Sequence, residues 1–487
     1  MAQASRSLTL TPAVIDAMAA RVAGVMASEH VPGVVYAVVA GGEIAYCSGC
    51  GTVGAPNTPV NTPDAMTIFR IASMTKSFTA AALLLLRDEG RITLDAPIAT
   101  LVPELAALRL PTTDSPAVTV RSLMTMASGL ATDDPWGDRH LDGSRAWFDV
   151  LMANGGTFAA APGTVFEYSN YGYAILGRII DNVTGMPFQE FTSTRLLAPL
   201  GLTKTGWDPP LDAAVGCRWI DDHWVVEPPQ RDGAFGSMGG LWSSIVDLAA
   251  WVTFLADAFP ARNGTDNGPL CRASRREMQQ VWRGFPVTVE HLDNTRIRIG
   301  PAGYGMGLDI SYDLTLGKMA AHSGGLPGFG SNMRWSVDRG IAVIALGNVT
   351  YAPMGRLTRD LFDDLELGGV LPLPKPLHSE VLHERADALV DLLFHWNDES
   401  ADRMFADNVF LDNERERRRA EAERFQEAVG SITTRTLGAE SATSGTMVLT
   451  GSGGAARVEL QLSPHVPPLV QWYELTFPAP HAGGGEA

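Results

Sequence analysis

The alternation of hydrophobic and polar positions predicts a helix, a β-hairpin and a second helix within the first 90 residues. Thr11-Pro12 precedes AVIDAMAARVAGVMASEH, and a polar cap followed by proline is typical of a helix start. The segment VPGVVYAVVAGGEIAYCSG is rich in β-branched residues around Gly41-Gly42, which predicts the hairpin. Residues 73–89 contain the wholly apolar run Ala80–Leu86 and predict a buried helix that ends at Gly90.

Residues from about 91 to 240 show helical segments separated by loops rich in proline and glycine. Strand-like segments return later as GYGMGLDISYD, MAAHSG, NMRWSVD and GIAVIALGN. The strands therefore come from both ends of this region, with helices inserted between them, and no β–α–β unit repeats. This order predicts an α+β fold.

The C-terminal part of the chain follows a proline-rich break, LPLPKP. Helical patterns occupy roughly residues 378 to 430, and short strand-like segments occupy 431 to 477. We therefore predict a main domain over residues 1–370, a linker over 371–377 and a small α+β domain of unknown role over 378–487.

Charge and length limit the classes of function. The net charge of −17 over 487 residues argues against a nucleic-acid partner, because contact with phosphates needs clustered positive charge. The basic run at Arg415–Arg419 is interleaved with glutamates, which predicts an ion-paired helix face. Neither a signal peptide nor a run of about 18 apolar residues is visible, so we expect a cytoplasmic protein with no membrane partner.

Ser73 and Lys76 form the first candidate for chemistry, in the stretch FRIASMTKSFTA. The chain has only four lysines, and a lysine in an apolar pocket can lose its proton, whereas arginine stays charged. At i and i+3 on a helix the two side chains share a face, so the amine can help to deprotonate the hydroxyl. The alternative, a capping serine beside an exposed lysine, fits poorly with the apolar run that follows.

A second candidate pair, Tyr168 and Asn170, lies in FEYSNYGY. A tyrosine hydroxyl can carry a proton to a leaving group, and an asparagine can orient the lysine or a substrate amide. Taken alone, the pattern is explained better by a loop with packed aromatic residues.

A third candidate segment, AHSGGLPGFGSNMRW, contains His322, Gly324 and Gly325 within an apparent strand. Glycine inside a strand indicates close approach of another backbone or a ligand. Such a strand edge, together with the Ser73 N–H, would supply the donors for an oxyanion. The alternative for His322 is a hydrogen-bonded core histidine.

Taken in order, S-x-x-K, Y-x-N and H-x-G resemble the signature of the serine β-lactamase and penicillin-binding-protein superfamily. The resemblance is to the class C β-lactamase-like branch, with its DD-peptidases, D-aminopeptidases and esterases. It covers about residues 15–370 and includes YSNYGYAILGRIIDNVTGMPFQEF and SMGGLWSSIVDLAAWV. The implied fold is an antiparallel sheet flanked by helices, with an inserted, mainly helical subdomain.

The resemblance implies a serine hydrolase without metal or cofactor, acting through an acyl-enzyme on a small ester or a D-amino-acid-containing amide or short peptide. It assigns catalysis to the residues Ser73, Lys76, Tyr168, Asn170 and His322, and oxyanion or substrate binding to Ser73, Gly324 and Gly325. His322 would provide the charge or hydrogen bond that a lysine gives elsewhere in the family, with titration near neutral pH.

Several alternatives remain open at this point. An acyltransferase, a sensor that is acylated once and a true β-lactamase all fit the same motifs, and so does a homo-oligomer. Lys204-Thr205-Gly206 spells the K-T-G form of the third motif, but the following WDPP forbids a central strand, so we reject it.

Overall fold

The computed structural model describes residues 8–286, 288–291, 297–300, 302–375, 377 and 379–477. The chain divides into two compact units, Met1–Pro374 and Lys375–Ala487. The division falls inside the proline-rich segment 371–377 that the sequence predicts to be a linker. The two units are described separately below.

The described part of the first unit contains eleven α-helices and fourteen strands. The helices are α1 (Pro12–Ser28), α2 (Thr75–Asp88), α3 (Val120–Met124), α4 (Asp134–Gly137), α5 (Arg145–Ala153), α6 (Asn170–Thr184), α7 (Phe188–Thr192), α8 (Gly236–Gly239), α9 (Ile245–Ala256), α10 (Arg272–Met278) and α11 (Met354–Leu367). The strands are β1 (Gly33–Ala40), β2 (Glu43–Gly51), β3 (Phe69–Arg70), β4 (Cys217–Ile220), β5 (His223–Val226), β6 (Trp242–Ser243), β7 (Arg283–Gly284), β8 (Thr288–His291), β9 (Ile297–Gly300), β10 (Ala302–Tyr304), β11 (Asp309–Asp313), β12 (Gly317–Leu326), β13 (Phe329–Ser336) and β14 (Ile341–Gly347).

An antiparallel sheet of eight strands organises the first unit, in the order β2-β1-β14-β13-β12-β11-β10-β7. The hairpin predicted at Gly41-Gly42 is confirmed, because β1 pairs with β2. On its other side β1 pairs with β14, from Val34 opposite Gly347 to Ala40 opposite Ile341. Strands from the two ends of the unit thus lie side by side, and the predicted α+β fold is confirmed.

Both faces of this sheet are covered, which explains why β1 reads as a continuous apolar run. Because successive side chains of a strand point to opposite faces, Val35 and Ala37 enter one core cluster while Val34 and Tyr36 enter another. Helices α1 and α11 cover the second face, and the larger helical region covers the first.

Helix α2 is the centre of the helical region. Every residue from Thr75 to Leu86 is buried, so the helix has no solvent face. Phe78 stacks on Trp251 of α9 with ring centroids 4.1 Å apart. The buried helix predicted over 73–89 is confirmed, although the α-helix itself begins at Thr75.

The second unit has its own hydrophobic core, which includes Leu389, Phe425 and Val458. Its elements are α12 (Glu380–Phe394), α13 (Asp398–Met404), α14 (Asn408–Asp412), α15 (Arg415–Val429), β15 (Ile432–Ala439), β16 (Ser444–Gly451), β17 (Gly454–Leu462) and β18 (Val470–Thr476). The four strands form an antiparallel sheet in chain order. Helices followed by strands agree with the pattern expected from the sequence.

The basic run on α15 forms ion pairs, as predicted. Arg419 contacts Asp398 of α13 at 2.6 Å, and Arg415 contacts Asp402. These partners lie on a neighbouring helix more than on α15 itself, which the sequence pattern did not indicate. Among the described residues of both units, none of the helices combines the length and apolar character that crossing a bilayer requires.

Candidate active site

Ser73 lies in a 3₁₀ turn, Ala72–Met74, directly before α2. Ala72 has a φ of +49°, in the left-handed region that disfavours residues with a side chain. The surrounding structure holds this turn on two sides: the Ile71 N–H donates to the Leu241 carbonyl at 3.0 Å, and the Ser331 hydroxyl donates to the Ile71 carbonyl at 2.7 Å. Strain of this kind persists only where neighbouring contacts determine the backbone.

The Lys76 amine lies within hydrogen-bond distance of three oxygens. Its Nζ is 2.9 Å from Ser73 Oγ, 2.7 Å from Asn170 Oδ1 and 2.8 Å from the Met238 carbonyl. The amide and carbonyl oxygens can only accept, so they use two of the N–H groups. A neutral amine would then direct its lone pair at the Ser73 hydroxyl, and a charged one would donate to it.

Burial favours the neutral form of that amine. Lys76 has no solvent exposure, and desolvation lowers its pKa to about 8. The negative charges of Asp134, Asp138 and Asp133 act in the opposite direction and limit this fall in the pKa. The amine is therefore poised to exchange a proton close to physiological pH.

Asn170 is oriented by the aspartates that precede the second motif. Its Nδ2 donates to Asp134 Oδ1 at 2.8 Å, which leaves Oδ1 facing the Lys76 amine. Asp133 accepts from the backbone N–H groups of Asn170 and Tyr171 at the start of α6. The helix start thus fixes the position of the amide.

Tyr168 lies on the loop before α6 and lines the same cavity as Ser73. The Lys76 Nζ lies 4.8 Å from the centroid of the Tyr168 ring. Burial, with the nearby charge of Asp134, holds the Tyr168 pKa well above its usual value. Tyr168 is therefore a neutral phenol that can relay a proton, rather than a phenolate base.

His322 lies on β12 and is 3% exposed. Its Nδ1 is 2.5 Å from the Ser323 carbonyl, which can only accept, so the ring proton is on Nδ1 and Nε2 accepts from the Tyr304 hydroxyl at 2.9 Å. Desolvation, followed by the charge of Lys76, lowers the His322 pKa to about 3. The expectation that His322 titrates near neutral pH is wrong, because burial keeps the imidazole neutral.

Gly324 and Gly325 bring β12 close to the Ser73 turn. A Cβ on Gly324 would lie 2.2 Å from the Ile71 carbonyl oxygen and 3.0 Å from Ala72 Cβ, so no other residue fits there without a backbone shift. A Cβ on Gly325 would lie 2.8 Å from the Tyr351 ring. The close approach expected from glycine in this strand is confirmed.

A cavity of about 450 Å³ joins these elements. Of the residues expected from the sequence, Ser73, Tyr168, His322 and Gly325 line it, while Lys76 is buried beside Ser73. The lining residues that sequence reasoning missed are Asp134, Pro135, Asp138, Asp309, Ser323 and Tyr351. The segment DDPWGD offered one signal, since paired aspartates before proline are typical of a helix start.

Lys204 lies away from this cavity. Its backbone N–H donates to Asp247 at 2.7 Å, and Gly206 pairs with Trp242, outside the eight-stranded sheet. Rejection of the literal K-T-G sequence as the third motif is therefore confirmed.

An antiparallel sheet flanked by helices, with a serine–lysine pair at the start of a buried helix, is typical of β-lactamase-like folds. A model of the Beta-lactamase family matches residues 18–367, and the chain belongs to that family. Proteins of this fold family are serine hydrolases.

Curated relatives match part of this chain. Protein flp of Staphylococcus aureus (strain N315) is 28% identical over 230 residues, which is 46% of this chain and 45% of that protein. The D-alanyl-D-alanine-carboxypeptidase/endopeptidase AmpH of Escherichia coli (strain K12) is 28% identical over 210 residues, 41% of this chain and 52% of AmpH. The matched region thus spans about half the length of each relative.

A solved structure extends the likeness in fold. The octameric penicillin-binding protein homologue from Pyrococcus abyssi has a TM-score of 0.61 at 20% identity, covering 93% of this chain and 91% of that one. This coverage exceeds the first unit, which ends at Pro374, so the likeness in fold includes part of the second unit.

Proposed function

We propose that this chain is a serine hydrolase that forms an acyl-enzyme on Ser73, with a small ester or a D-amino-acid-containing amide or peptide as substrate. The observation that carries the proposal is the arrangement around Lys76. Two oxygens that can only accept hold its amine 2.9 Å from Ser73 Oγ, and burial lowers its pKa to about 8.

Acylation begins when neutral Lys76 takes the proton of the Ser73 hydroxyl. The freed oxygen attacks the substrate carbonyl, a bond forms between Oγ and the carbonyl carbon, and the carbonyl electron pair moves to its oxygen. When the tetrahedral intermediate collapses, the bond to the leaving alcohol or amine breaks. Tyr168 then donates its proton to the leaving group, and the protonated Lys76 returns a proton to Tyr168. The high pKa of Tyr168 keeps the phenol protonated until this transfer.

The oxyanion would be held by the backbone N–H groups of Ser73 and Gly325. Gly324 supports this arrangement, because its missing side chain lets β12 pack against the Ser73 turn. In enzymes of this kind the loss of one oxyanion donor costs about 3 kcal/mol of transition-state stabilisation. His322, neutral and bonded to Tyr304 and Ser323, would position β12 instead of supplying a charge.

Deacylation needs water to replace the leaving group. Neutral Lys76 would take the proton of that water through the same Tyr168 hydroxyl, the hydroxide would attack the ester carbonyl, and Ser73 would recover its proton as the acid leaves. Asn170 would keep Lys76 in place through both halves of the reaction.

Hydrolysis of p-nitrophenyl butyrate by the wild-type chain and by Ser73→Ala tests this proposal. We expect steady turnover that disappears in Ser73→Ala and persists in the control Ser28→Ala, since Ser28 lies exposed at the end of α1. Unchanged turnover in Ser73→Ala would overturn the assignment of the nucleophile.

The form of the progress curve separates the alternatives that share the motifs. A burst of one equivalent without turnover favours a sensor that is acylated once. A gain in product when amine or alcohol acceptors are added, at the expense of hydrolysis, favours an acyltransferase. Faster turnover of a penicillin or cephalosporin than of any ester or D-amino-acid amide favours a β-lactamase.

The likeness to an octameric homologue also supports a proposal about assembly. We propose that this chain self-associates, and light scattering of the full chain would show a mass that is a multiple of 52.1 kDa. A chain that ends at Pro374 tests the role of the second unit. Fewer subunits per particle with an unchanged substrate range would assign the second unit to assembly. A wider substrate range would assign it to restriction of the site.

A further inference from the structure

Acidic side chains dominate the cavity beside Ser73. Asp134, Asp138 and Asp309 line it, and the described lining residues include no lysine or arginine. The imidazole of His322 is neutral. The buried Lys76 amine already lies within hydrogen-bond distance of Ser73, Asn170 and the Met238 carbonyl. Burial raises the pKa of Asp138 to about 7 and that of Asp309 to about 6, so the negative charge that a ligand meets in this cavity increases as the pH rises through this range.

Two of the three carboxylates have an evident structural or electrostatic partner. Asp134 accepts from Asn170 and so helps to orient Lys76. Asp309 lies at the start of β11, where burial raises its pKa to about 6 and the charge of Arg334 limits that rise. Asp134 and Asp309 thus each have a partner within the protein that explains their position, whereas neither contact involves Asp138.

Asp138 follows α4 and is 3% exposed. Its Oδ2 accepts from the Tyr351 hydroxyl at 3.0 Å, whereas its Oδ1 is buried and has no hydrogen-bond partner among the described residues. The adjacent Arg139 does not neutralise it, because that guanidinium pairs with Glu227 at 2.6 Å. A buried carboxylate oxygen without a partner is costly; an ammonium ligand would supply both a hydrogen bond and a positive charge, and a quaternary ammonium ligand would supply the charge alone.

Tyr351 holds this carboxylate at the wall that faces β12. Its φ is +56°, in the left-handed region, and its ring packs against the position of Gly325. The Tyr351–Asp138 pair is therefore placed beside the strand that would bind the oxyanion.

We propose that the site selects substrates that carry an ammonium or quaternary ammonium group near the scissile carbonyl, paired with Asp138, and disfavours substrates with a carboxylate there. This inference rests on the proposed acyl-enzyme chemistry at Ser73. It distinguishes this chain from an enzyme that recognises a C-terminal carboxylate, because like charges in a partly buried cavity repel. Asp138 would be a specificity-determining residue, and Tyr351 a positioning residue that acts through it.

Two p-nitrophenyl esters of nearly equal shape test the proposal: those of 4-(trimethylammonio)butyric acid and 5,5-dimethylhexanoic acid. A quaternary carbon replaces the nitrogen in the second, so the esters differ in charge at one position. At about pH 8.5, above the raised pKa of Asp138, and after correction for uncatalysed hydrolysis, we expect kcat/KM of the wild type to be about 10- to 100-fold higher for the cationic ester. An equal or lower value for the cationic ester overturns the proposal without any variant.

The variant Asp138→Asn should reduce this preference to within about threefold, mainly by lowering kcat/KM for the cationic ester. Asp114→Asn is the matched control, because Asp114 is exposed and outside the cavity, and it should retain the preference. A preference that survives in Asp138→Asn, with its melting temperature unchanged, would contradict the role of Asp138.

Failure of the proposed function is recognised separately, as absence of turnover of both esters. Binding then decides the inference, by calorimetric titration of 4-(trimethylammonio)butyramide and 5,5-dimethylhexanamide into Ser73→Ala. Tighter binding of the cationic amide, lost when Asp138→Asn is added, supports the proposal. Equal binding of the two amides refutes it.

Discussion

The proton affinity of Lys76 makes a quantitative prediction about the pH dependence of acylation. If the neutral amine is the base, kcat/KM for a neutral ester follows the neutral fraction of Lys76 in the free enzyme. Burial lowers the pKa of this amine from 10.5 to about 8. Only enzyme molecules with a neutral Lys76 are active, so kcat/KM increases as the pH rises through this pKa.

The expected change follows from that pKa. A lysine with a pKa of about 8 is about one-tenth neutral at pH 7 and about nine-tenths neutral at pH 9, so kcat/KM should rise about tenfold and then level off. A lysine with the ordinary pKa of 10.5 would instead give a rise of about 100-fold over the same range, without a plateau. Tyr168 and His322 do not titrate in this window, since their pKa values lie far above and far below it. Asp138 does titrate at its lower end, because burial raises its pKa to about 7, so the Asp138→Asn variant separates its contribution from that of Lys76.

Initial rates with p-nitrophenyl butyrate between pH 6 and 10, at substrate concentrations far below KM, provide the measurement. The spontaneous hydrolysis of the ester is subtracted at each pH. Lys76→Met is the matched control, because it removes the amine while filling the same buried space, and it should abolish the pH-dependent rise.

Asp138→Asn tests the direction in which the charge of Asp138 shifts the pKa of Lys76. The charge of Asp138 raises the pKa of Lys76, so its removal should move the midpoint below that of the wild type. A profile that still rises with unit slope at pH 10 would refute the claim that burial lowers the pKa of Lys76. A midpoint that persists in Lys76→Met would refute its assignment to this residue.

Three further predictions concern neighbouring positions. Gly324→Ala places a methyl group against a backbone carbonyl, and we expect a fall of about 10- to 100-fold in kcat/KM with a lower melting temperature. Asn170→Asp adds a negative charge 2.7 Å from the Lys76 amine, so the midpoint of the pH profile should move to higher pH and the rate at pH 7 should fall. His322 has a pKa of about 3, so its imidazole resonances should not titrate between pH 5 and 8, as followed by NMR with His322→Gln for assignment.

Each of these predictions has a control or a contradicting result. Gly24→Ala, on the exposed face of α1 with open space around it, should leave activity unchanged. An active Gly324→Ala would remove the argument for close packing of β12. A midpoint at or below the wild-type value in Asn170→Asp, or a His322 midpoint near pH 6.5, would contradict the electrostatic account.

Local patterns predicted the elements that carry the site. The β1–β2 hairpin and the buried helix after Ser73 follow from residues close together in the chain, whose side-chain preferences decide their own conformation. The serine and lysine of the first motif lie one turn apart, so their contact could also be read from the sequence.

Contacts between distant residues were not predictable in this way. The Met238 carbonyl that accepts from Lys76 lies 162 positions away, and a backbone oxygen has no signature in the sequence. Asp138 reaches Tyr351 across 213 positions. The protonation of His322 was wrongly expected because its ordinary pKa was used, whereas burial among aromatic neighbours decides its state.

The most direct test of the central claim is the mass of the protein after brief reaction with p-nitrophenyl butyrate and an acid quench. We predict a fraction of the chain that is heavier by one butyryl group, located by peptide mapping at Ser73 and absent from Ser73→Ala. The adduct should accumulate further in Asn170→Asp if that substitution slows deacylation more than acylation. Turnover without any adduct in the wild type, or an adduct at another residue, would contradict the acyl-enzyme account.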